Sequence, residues 1–259
     1  MKSFSRREQL ALLPGWLRKR IEVNRYESLR LLELAQTQIP EGARVLDAGS
    51  GEGRYAHYFA HTQYIGLDMA VGDVDWDYSG LDVLGDLRCL PFDDKSLDAA
   101  ICIQTLEHIN EPLSVTKEIG RVLKPGSRCY LSAPMAWHQH QKPHDYFRYT
   151  SFGFKHLLEK GDMRVVEIRP MGGYFWFLSF NFQMLHYWLF PKTNSRWLKL
   201  LQMPFQLVIH FVFSLILPLI LYYMDGLDKI KDHTLGWVCI AEKLSVDELD
   251  RATTTTMSH

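Results

Sequence analysis

Short apolar runs and polar, glycine-containing turns alternate along the middle of the chain. The apolar runs have the length of strands, and amphipathic stretches separate several of them. The strands are predicted at residues 43–48, 63–68, 81–86, 97–104, 128–133 and 163–169. The helices are predicted at residues 54–61, 111–122 and 152–160. Such alternation indicates the α/β class, with a parallel sheet and helices on both of its faces. Residues 97–104 are nearly all apolar, which predicts a central strand.

Helical patterns flank this alternation on both sides. Apolar residues recur at helical spacing through residues 4–37, and Pro14-Gly15 is expected to divide that stretch into two helices. Residues 171–233 are aromatic and apolar, with helical character and no clear strand, and a closing strand follows them. The predicted organisation is a helical extension at 1–40, a core at 41–170 plus 234–244, an insertion at 171–233 and a frayed tail at 245–259.

The bulk composition narrows the class of protein. The chain has 259 residues, of which 47% are hydrophobic and 23% charged, as in ordinary globular proteins. Its net charge of -1 argues against an extended nucleic-acid interface. The 4 cysteines form no Cys-x-x-Cys pair, and no apolar signal segment follows the basic start. We therefore expect a cytoplasmic protein without a nucleic-acid partner.

A glycine-rich turn follows the first predicted strand. It reads Asp47-Ala48-Gly49-Ser50-Gly51-Glu52-Gly53. Glycines let the backbone turn sharply and approach a ligand closely. The acids at positions 47 and 52 would repel a pyrophosphate, whereas they suit a ligand that carries a sulfonium and an amino group. Asp68 ends the second strand, at a position where an acid can bind ribose hydroxyls. Because NAD-binding domains share that acid, Asp68 does not separate the two kinds of cofactor.

Several motifs carry a family resemblance when they are taken together. The glycine turn resembles motif I of class I methyltransferases, and Gly85-Asp86-Leu87 resembles the segment that holds adenine in that family. Residues 91–109 and 121–126 are similar to the type-11 methyltransferases, and the resemblance covers residues 41–170. It implies a Rossmann-like seven-stranded sheet that binds S-adenosyl-L-methionine. The cofactor-binding residues that it implies are Asp47, Gly49, Ser50, Gly51, Gly53, Asp68, Met69, Asp86, Leu87 and Gln104.

The acceptor site is expected beyond the fourth and fifth strands. Methyl transfer to a hydroxyl benefits from a general base, and His108 and His144 are the candidate catalytic residues. The segment 144–150 resembles one that related methyltransferases place over the active site, so Tyr146, Arg148 and Tyr149 are candidate substrate residues. The alternatives are that His108 packs against the sheet, that the tyrosines only pack, and that Arg148 pairs with Asp145.

The same region is rich in histidine. The spacing of His138, His140 and His144 beside Asp145 would permit zinc or iron. Nothing else in the sequence supports a metal, so none is predicted.

An apolar segment inside the insertion points to a membrane surface. Residues 203–224 contain no Asp, Glu, Lys or Arg, and their length matches a span of ~20 residues. A single span would separate the closing strand from its sheet, and a hairpin with residues 174–190 would carry Lys and Arg across the membrane. We therefore favour an interfacial element or a lid, and a buried core helix or a homodimer interface is the alternative.

The predicted activity is methyl transfer from S-adenosylmethionine to a small or lipid-linked acceptor, more readily at oxygen than at carbon or nitrogen. The segment 174–224 would then make the protein peripheral at the membrane. An NAD(P)-dependent oxidoreductase and a non-catalytic cofactor-binding scaffold are the rival hypotheses.

Overall fold

A computed structural model describes residues 13–72, 75–190, 193, 195–245 and 248. The chain divides into two compact units. Residues 28–169 and the C-terminal part from Gly236 form the larger unit, and the residues up to Glu27 join with 170–235 in the smaller one. The helical extension predicted at 1–40 is therefore shared between the units. Of the predicted tail, only residues 245 and 248 lie among the described residues.

The larger unit contains a sheet of seven strands. They are β1 (Arg44–Ala48), β2 (Gln63–Asp68), β3 (Val83–Leu84), β4 (Leu97–Ile103), β5 (Leu123–Pro134), β6 (Met163–Pro170) and β7 (Gly236–Lys243). Their order across the sheet is β3-β2-β1-β4-β5-β7-β6, which confirms the predicted Rossmann-like fold class. The expectation of a wholly parallel sheet is wrong, because β7 pairs antiparallel with β5. This strand enters the sheet after a long helical segment instead of a simple crossover helix.

The helices are α1 (Gly15–Ile21), α2 (Val23–Gln38), α3 (Pro112–Val122), α4 (Ser151–Glu159), α5 (Tyr174–Leu189), α6 (Arg196–Phe211) and α7 (Leu217–Met224). A π-helical segment, Val212–Ile216, joins α6 to α7. One prediction at this level is wrong. Residues 54–61 form only a 3-10 turn at Ala56–Phe59, since aromatic residues there are poor helix formers. Pro14 directly precedes α1, and the helix expected before Pro14 lies outside the described residues. A further division, which the sequence did not predict, falls between α1 and α2 at Glu22.

The hydrophobic pattern of the strands places them in the core as predicted. In β4 every residue except Asp98 is buried, and Ile101 is completely buried between β1 and β5. The strand order changes direction between β1 and β4, and ligands of open α/β sheets bind beyond the carboxyl ends of the strands at such a switch point. The fold therefore predicts a binding site beside the turn that follows β1.

The smaller unit is held together by aromatic packing and one buried carboxylate. Trp176 of α5 stacks on Tyr222 of α7 with ring centroids 5.5 Å apart. The Asp225 carboxylate accepts the backbone N–H groups of Gly173 and Trp176, and it pairs with Lys231 at 2.6 Å.

Helix α6 lies outside this packed part of the smaller unit. None of its residues is buried. The helical stretch Arg196–Leu227, 32 residues with the π segment included, is long and apolar enough to cross a membrane by length and composition. The alternative of a buried core helix is therefore wrong for α6, whereas α7 buries Pro218 and Leu221.

Candidate active site

A cavity of about 270 Å³ opens at the carboxyl ends of β1, β2 and β4 in the larger unit. Both predicted catalytic histidines and most of the predicted cofactor residues line it. The cofactor residues in its wall are Gly49, Ser50, Gly51, Asp68, Met69, Leu87 and Gln104. Predicted cofactor residues that are spread over about sixty positions of the sequence therefore lie around one cavity.

The glycine turn is shaped by its backbone and by Asp68. Gly49 has a φ of 83°, and a Cβ atom at this position would lie 2.2 Å from Cγ2 of Thr105. No side chain fits there. The Asp68 carboxylate accepts the N–H of Gly51 at 2.9 Å and the N–H of Ala70 at 2.8 Å. Asp68 thus fixes the turn at the same time as it faces the cavity.

The wall of the cavity fits a polar, cationic ligand. The Ser50 hydroxyl is buried without a hydrogen-bond partner, as expected of a group that a ligand satisfies. Glu52 and Asp68 both line the space. Glu52 also forms an ion pair with Arg54, whose guanidinium lies 5.0 Å from the ring centre of Trp76. The carboxylate of Glu52 is therefore partly neutralised, and Asp68 is the stronger candidate for contacts with a cation.

Three predicted cofactor residues, Asp47, Gly53 and Asp86, lie outside the described lining of the cavity. Asp47 is buried and accepts a hydrogen bond from the Tyr64 hydroxyl at 2.6 Å. Burial raises the pKa of Asp47 to about 7, although the Tyr64 hydrogen bond opposes the rise. Asp86 binds the Arg88 guanidinium, which lowers the pKa of its carboxyl. Asp47 and Asp86 therefore stabilise the turns to which the lining residues belong.

Three imidazoles line the cavity. His108, His140 and His144 all face it. The Nδ1 atom of His108 lies 2.6 Å from the backbone carbonyl oxygen of His144, and the rings of His108 and His140 are 4.6 Å apart. The hydrogen bond from Nδ1–H to that carbonyl leaves the lone pair on Nε2 of His108. His108 therefore lines the cavity while its Nδ1 atom is hydrogen-bonded to the segment that carries His144.

The predicted substrate residues Tyr146, Arg148 and Tyr149 are not part of the described cavity wall. Arg148 forms two hydrogen bonds with Asp145, at 2.7 and 2.8 Å. The buried Tyr149 donates its hydroxyl to the carbonyl of Leu106 at 3.0 Å. The structure gives these two side chains the intramolecular roles that the sequence left open as alternatives.

Several lining residues were missed by the sequence motifs. Trp76 lies in an irregular segment whose pattern predicts no element, and Tyr55 lies in the stretch that was predicted as a helix but begins with a turn. Thr105 lies beside His108 in the motif already singled out. Its contact with Gly49 depends on the pairing of β1 with β4, which no local pattern reveals.

Comparison with known proteins shows that part of the chain is similar to methyltransferases. A family model described as a methyltransferase domain matches residues 46–131. A fatty-acid O-methyltransferase of Mycolicibacterium smegmatis is 37% identical over 117 residues, 40% of this chain and 42% of that protein. A ubiquinone biosynthesis O-methyltransferase of Xanthomonas axonopodis is 33% identical over 106 residues, 36% of this chain and 44% of that protein. The chain thus spans less than half the length of these curated relatives.

Solved structures agree with the fold. A Haloferax volcanii protein, solved with the methyltransferase activator Trm112, has a TM-score of 0.52 at 18% identity, over 86% of this chain and 94% of that chain. A sarcosine dimethylglycine methyltransferase candidate from Galdieria sulphuraria has a TM-score of 0.51 at 16% identity, over 85% of this chain and 88% of that chain. At these identities the likeness concerns the fold alone.

The fold and the site together define a Rossmann-like cofactor-binding domain. Residues 46–131 match the methyltransferase-domain model, as the motifs predict, and the methyltransferase relatives support S-adenosylmethionine as the cofactor.

Proposed function

We propose that the chain transfers a methyl group from S-adenosylmethionine to a hydroxyl oxygen of a small or lipid-linked acceptor. The observation that carries the proposal is one cavity that is lined both by the glycine turn and by three imidazoles. A cofactor site and a site for proton removal therefore share a single space. The fatty-acid O-methyltransferase and ubiquinone O-methyltransferase relatives support oxygen as the acceptor atom.

Different residues of the cavity would bind the cofactor and remove the proton. Asp68, Ser50 and the backbone of the glycine turn would hold the cofactor, and Gln104 and Leu87 would border it. The bound cofactor supplies an electrophilic methyl group and departs as S-adenosylhomocysteine. The acceptor hydroxyl gains the methyl on oxygen and must lose its proton. His108 presents the Nε2 lone pair that can take that proton, because its Nδ1 is held by the carbonyl of His144.

The lipid-linked part of the proposal is supported by α6. Its apolar face carries Trp197, Leu201 and Val208, which are 83%, 67% and 63% exposed. The opposite face carries Lys199, Gln202, Gln206 and His210. An amphipathic helix with an exposed apolar face is the form that lies in a membrane interface. Because β7 returns to the sheet beside β5, a single crossing by this stretch is excluded. We infer a cytoplasmic protein that is peripheral at the membrane.

Calorimetric titration with S-adenosylhomocysteine tests the cofactor. We expect binding by the wild-type chain, no binding of NADH, and a roughly tenfold loss for Asp68→Ala, which corresponds to about 1.4 kcal/mol. Binding of NADH instead would favour an oxidoreductase. Binding of S-adenosylhomocysteine without methyl transfer to any hydroxyl acceptor, presented in lipid or in solution, would favour the non-catalytic scaffold.

Vesicle flotation tests the membrane surface. We expect the fraction of protein bound to phospholipid vesicles to fall at least tenfold in the triple variant Trp197→Ser, Leu201→Ser, Val208→Ser, because these substitutions remove the apolar face. The double variant Gln202→Ser, Gln206→Ser is the matched control on the opposite face, and it should bind like the wild type. The wild type could instead fail to float with vesicles and form a dimer that is lost in the triple variant but not in the double variant. That result would mean that the apolar face of α6 binds a second copy of the chain instead of a membrane.

A further inference from the structure

Three potential metal ligands converge where imidazoles line the cavity. Glu107, His108 and His140 each offer one ligand atom, and these atoms all lie within 4.8 Å of one another. The trio differs from the histidine cluster that the sequence spacing suggested, because Glu107 and His108 take the place of His138 and His144. The ligands come from two separate segments that the fold brings together.

Glu107 is the unusual member of the trio. Its side chain is fully buried, and neither carboxylate oxygen has a hydrogen-bond partner among the described residues. Its backbone carbonyl accepts the N–H groups of Tyr146 and Phe147 at 2.8 and 3.2 Å, so the residue is fixed in place. A buried carboxylate without a partner is unfavourable, because it has lost its hydration without gaining hydrogen bonds. A bound cation would remove that cost.

The two histidines are oriented as metal ligands usually are. Nδ1 of His108 lies 2.6 Å from the His144 carbonyl oxygen, and Nδ1 of His140 lies 3.2 Å from the His138 carbonyl oxygen. When each Nδ1–H donates to its carbonyl, both Nε2 atoms carry a lone pair. Metal-binding histidines characteristically donate their other ring N–H to a carbonyl or carboxylate.

The separation of the ligand atoms suits a small divalent ion. Nε2 of His108 lies 3.8 Å from Oε1 of Glu107, too far for a hydrogen bond. Bond lengths of ~2.0–2.2 Å place two ligands of a tetrahedral zinc ion about 3.4 Å apart. If these two atoms moved a few tenths of an ångström closer to each other, they would therefore have the spacing of two ligands on one ion. The nearby Arg148 is bound by Asp145 at 2.7 Å, which offsets its positive charge.

We propose that Glu107, His108 and His140 bind one divalent transition-metal ion, of the zinc type, where the imidazoles line the cavity. Two imidazoles and one carboxylate are a common protein ligand set for zinc, and they leave one position open. Asp145 supports the set, since its carboxylate accepts the backbone N–H of His140 at 2.9 Å.

The role of the ion rests on the proposed function. An acceptor hydroxyl at the open position would lose its proton to solvent more readily, since a divalent metal lowers the pKa of a bound oxygen. The oxygen would then form its bond to the methyl carbon as the carbon–sulfur bond breaks. His108 would act as a ligand and not as the base, which distinguishes this arrangement from proton transfer to a free imidazole.

Metal binding can be measured without any acceptor. Tag-free full-length protein is freed of metal with a chelator and titrated with Zn²⁺ by calorimetry and with Co²⁺ by visible absorption. We expect one ion per chain and Co²⁺ bands of tetrahedral or five-coordinate intensity. Glu107→Gln and His140→Asn should weaken Zn²⁺ binding at least thirtyfold. His138→Asn, an imidazole of the same segment outside the trio, should leave the affinity within threefold.

Titration with S-adenosylhomocysteine verifies that each variant is folded and separates the two proposals. Metal binding that needs Glu107, without methyl transfer, would retain the site and overturn the proposed function. The metal site would be overturned if the wild type takes up no stoichiometric metal, or if Glu107→Gln takes up as much metal as the wild type. Methyl transfer that continues after chelation would in that case leave the proposed function intact.

Discussion

Strand β4 and helix α6 are both strongly apolar in sequence, yet the structure buries one and exposes the other. In β4 the side chain of Ile101 has no accessible surface. In α6 no residue is buried, and Trp197 at the start of the helix is 83% exposed. Hydrophobicity alone therefore does not tell where an apolar segment is buried. β4 buries its apolar side chains within its own unit, whereas no residue of α6 is buried by the described part of the chain.

The comparison also separates two kinds of polar position. In the sheet unit, polar groups that the interior tolerates poorly, such as Ser50 and Glu107, line the cavity or adjoin a residue that lines it. In the helical unit the buried Asp225 is fully engaged by backbone N–H groups and Lys231. Ser50 and Glu107 are thus unsatisfied polar groups at the site, whereas the satisfied Asp225 supports the fold.

The largest effect should follow truncation of the buried strand. Ile101→Ala removes apolar contacts between β1 and β5 and leaves a cavity, so we expect the free energy of unfolding to fall by about 3 kcal/mol. Urea denaturation measures it. Ile101→Val serves as the graded control and should cost about 1 kcal/mol. Equal, small losses for both variants would mean that β4 is not tightly packed.

A glycine substitution in the binding turn should have a slightly smaller effect, and on binding instead of folding. Gly49→Ala places a Cβ 2.2 Å from Cγ2 and 2.9 Å from Cβ of Thr105, a branched side chain that cannot swing away. We expect at least 100-fold weaker binding of S-adenosylhomocysteine, about 2.7 kcal/mol, by calorimetry. Gly53→Ala has a similar φ of 68° but open space around its Cβ, so it shows the strain without the clash. Equal losses for both variants would assign the effect to backbone strain.

A buried acid should make the stability of the ligand-free sheet unit depend on pH. Asp47 titrates near 3.8 in the unfolded chain and at about 7 in the folded protein. Between these values the folded state keeps a proton that the unfolded state has released. The stability from neutral Asp47 is therefore full below about pH 4 and lost as the pH rises through 7.

Asp47→Asn keeps the group neutral at every pH. Relative to wild type, we expect the variant to gain about 2 kcal/mol in the free energy of unfolding between pH 4 and pH 8, within the limit that ~1.4 kcal/mol per pKa unit allows. Urea denaturation across that range provides the measurement, and Asp93→Asn at an exposed aspartate is the control. A difference that stays constant with pH would show that Asp47 is charged in the folded protein.

Much of the fold could be predicted because its information is local. The apolar runs gave β1, β2 and β4 to within one or two residues, and the turn after β1 lies where the glycine motif indicated. The antiparallel direction of β7 could not be predicted, since it depends on how the chain returns to the sheet after residues 171–235. Local pattern fixes the elements, and tertiary pairing fixes their direction.

The site divides in the same way. Residues within one motif, such as Gly49, Ser50 and Gly51, could be assigned to the cavity from sequence. The pairing of Arg148 with Asp145, and the approach of His140 to His108, depend on how the chain folds beyond β5. Sequence spacing groups His138, His140 and His144, whereas the potential ligand atoms within 4.8 Å of one another belong to Glu107, His108 and His140. Distance along the chain does not report distance across a loop.

The smallest effect should come from the exposed helix, and it tests the comparison most directly. Leu201→Ala lies on the apolar face of α6 at 67% exposure. Removing an exposed leucine should change the free energy of unfolding by less than about 0.5 kcal/mol in detergent-free buffer. Urea denaturation at two protein concentrations, a hundredfold apart, measures it. A loss above about 1.5 kcal/mol that grows with protein concentration would mean that Leu201 is buried between two copies. The contrast with β4 would then be one between burial within the chain and burial between chains, and the membrane surface would lose its main support.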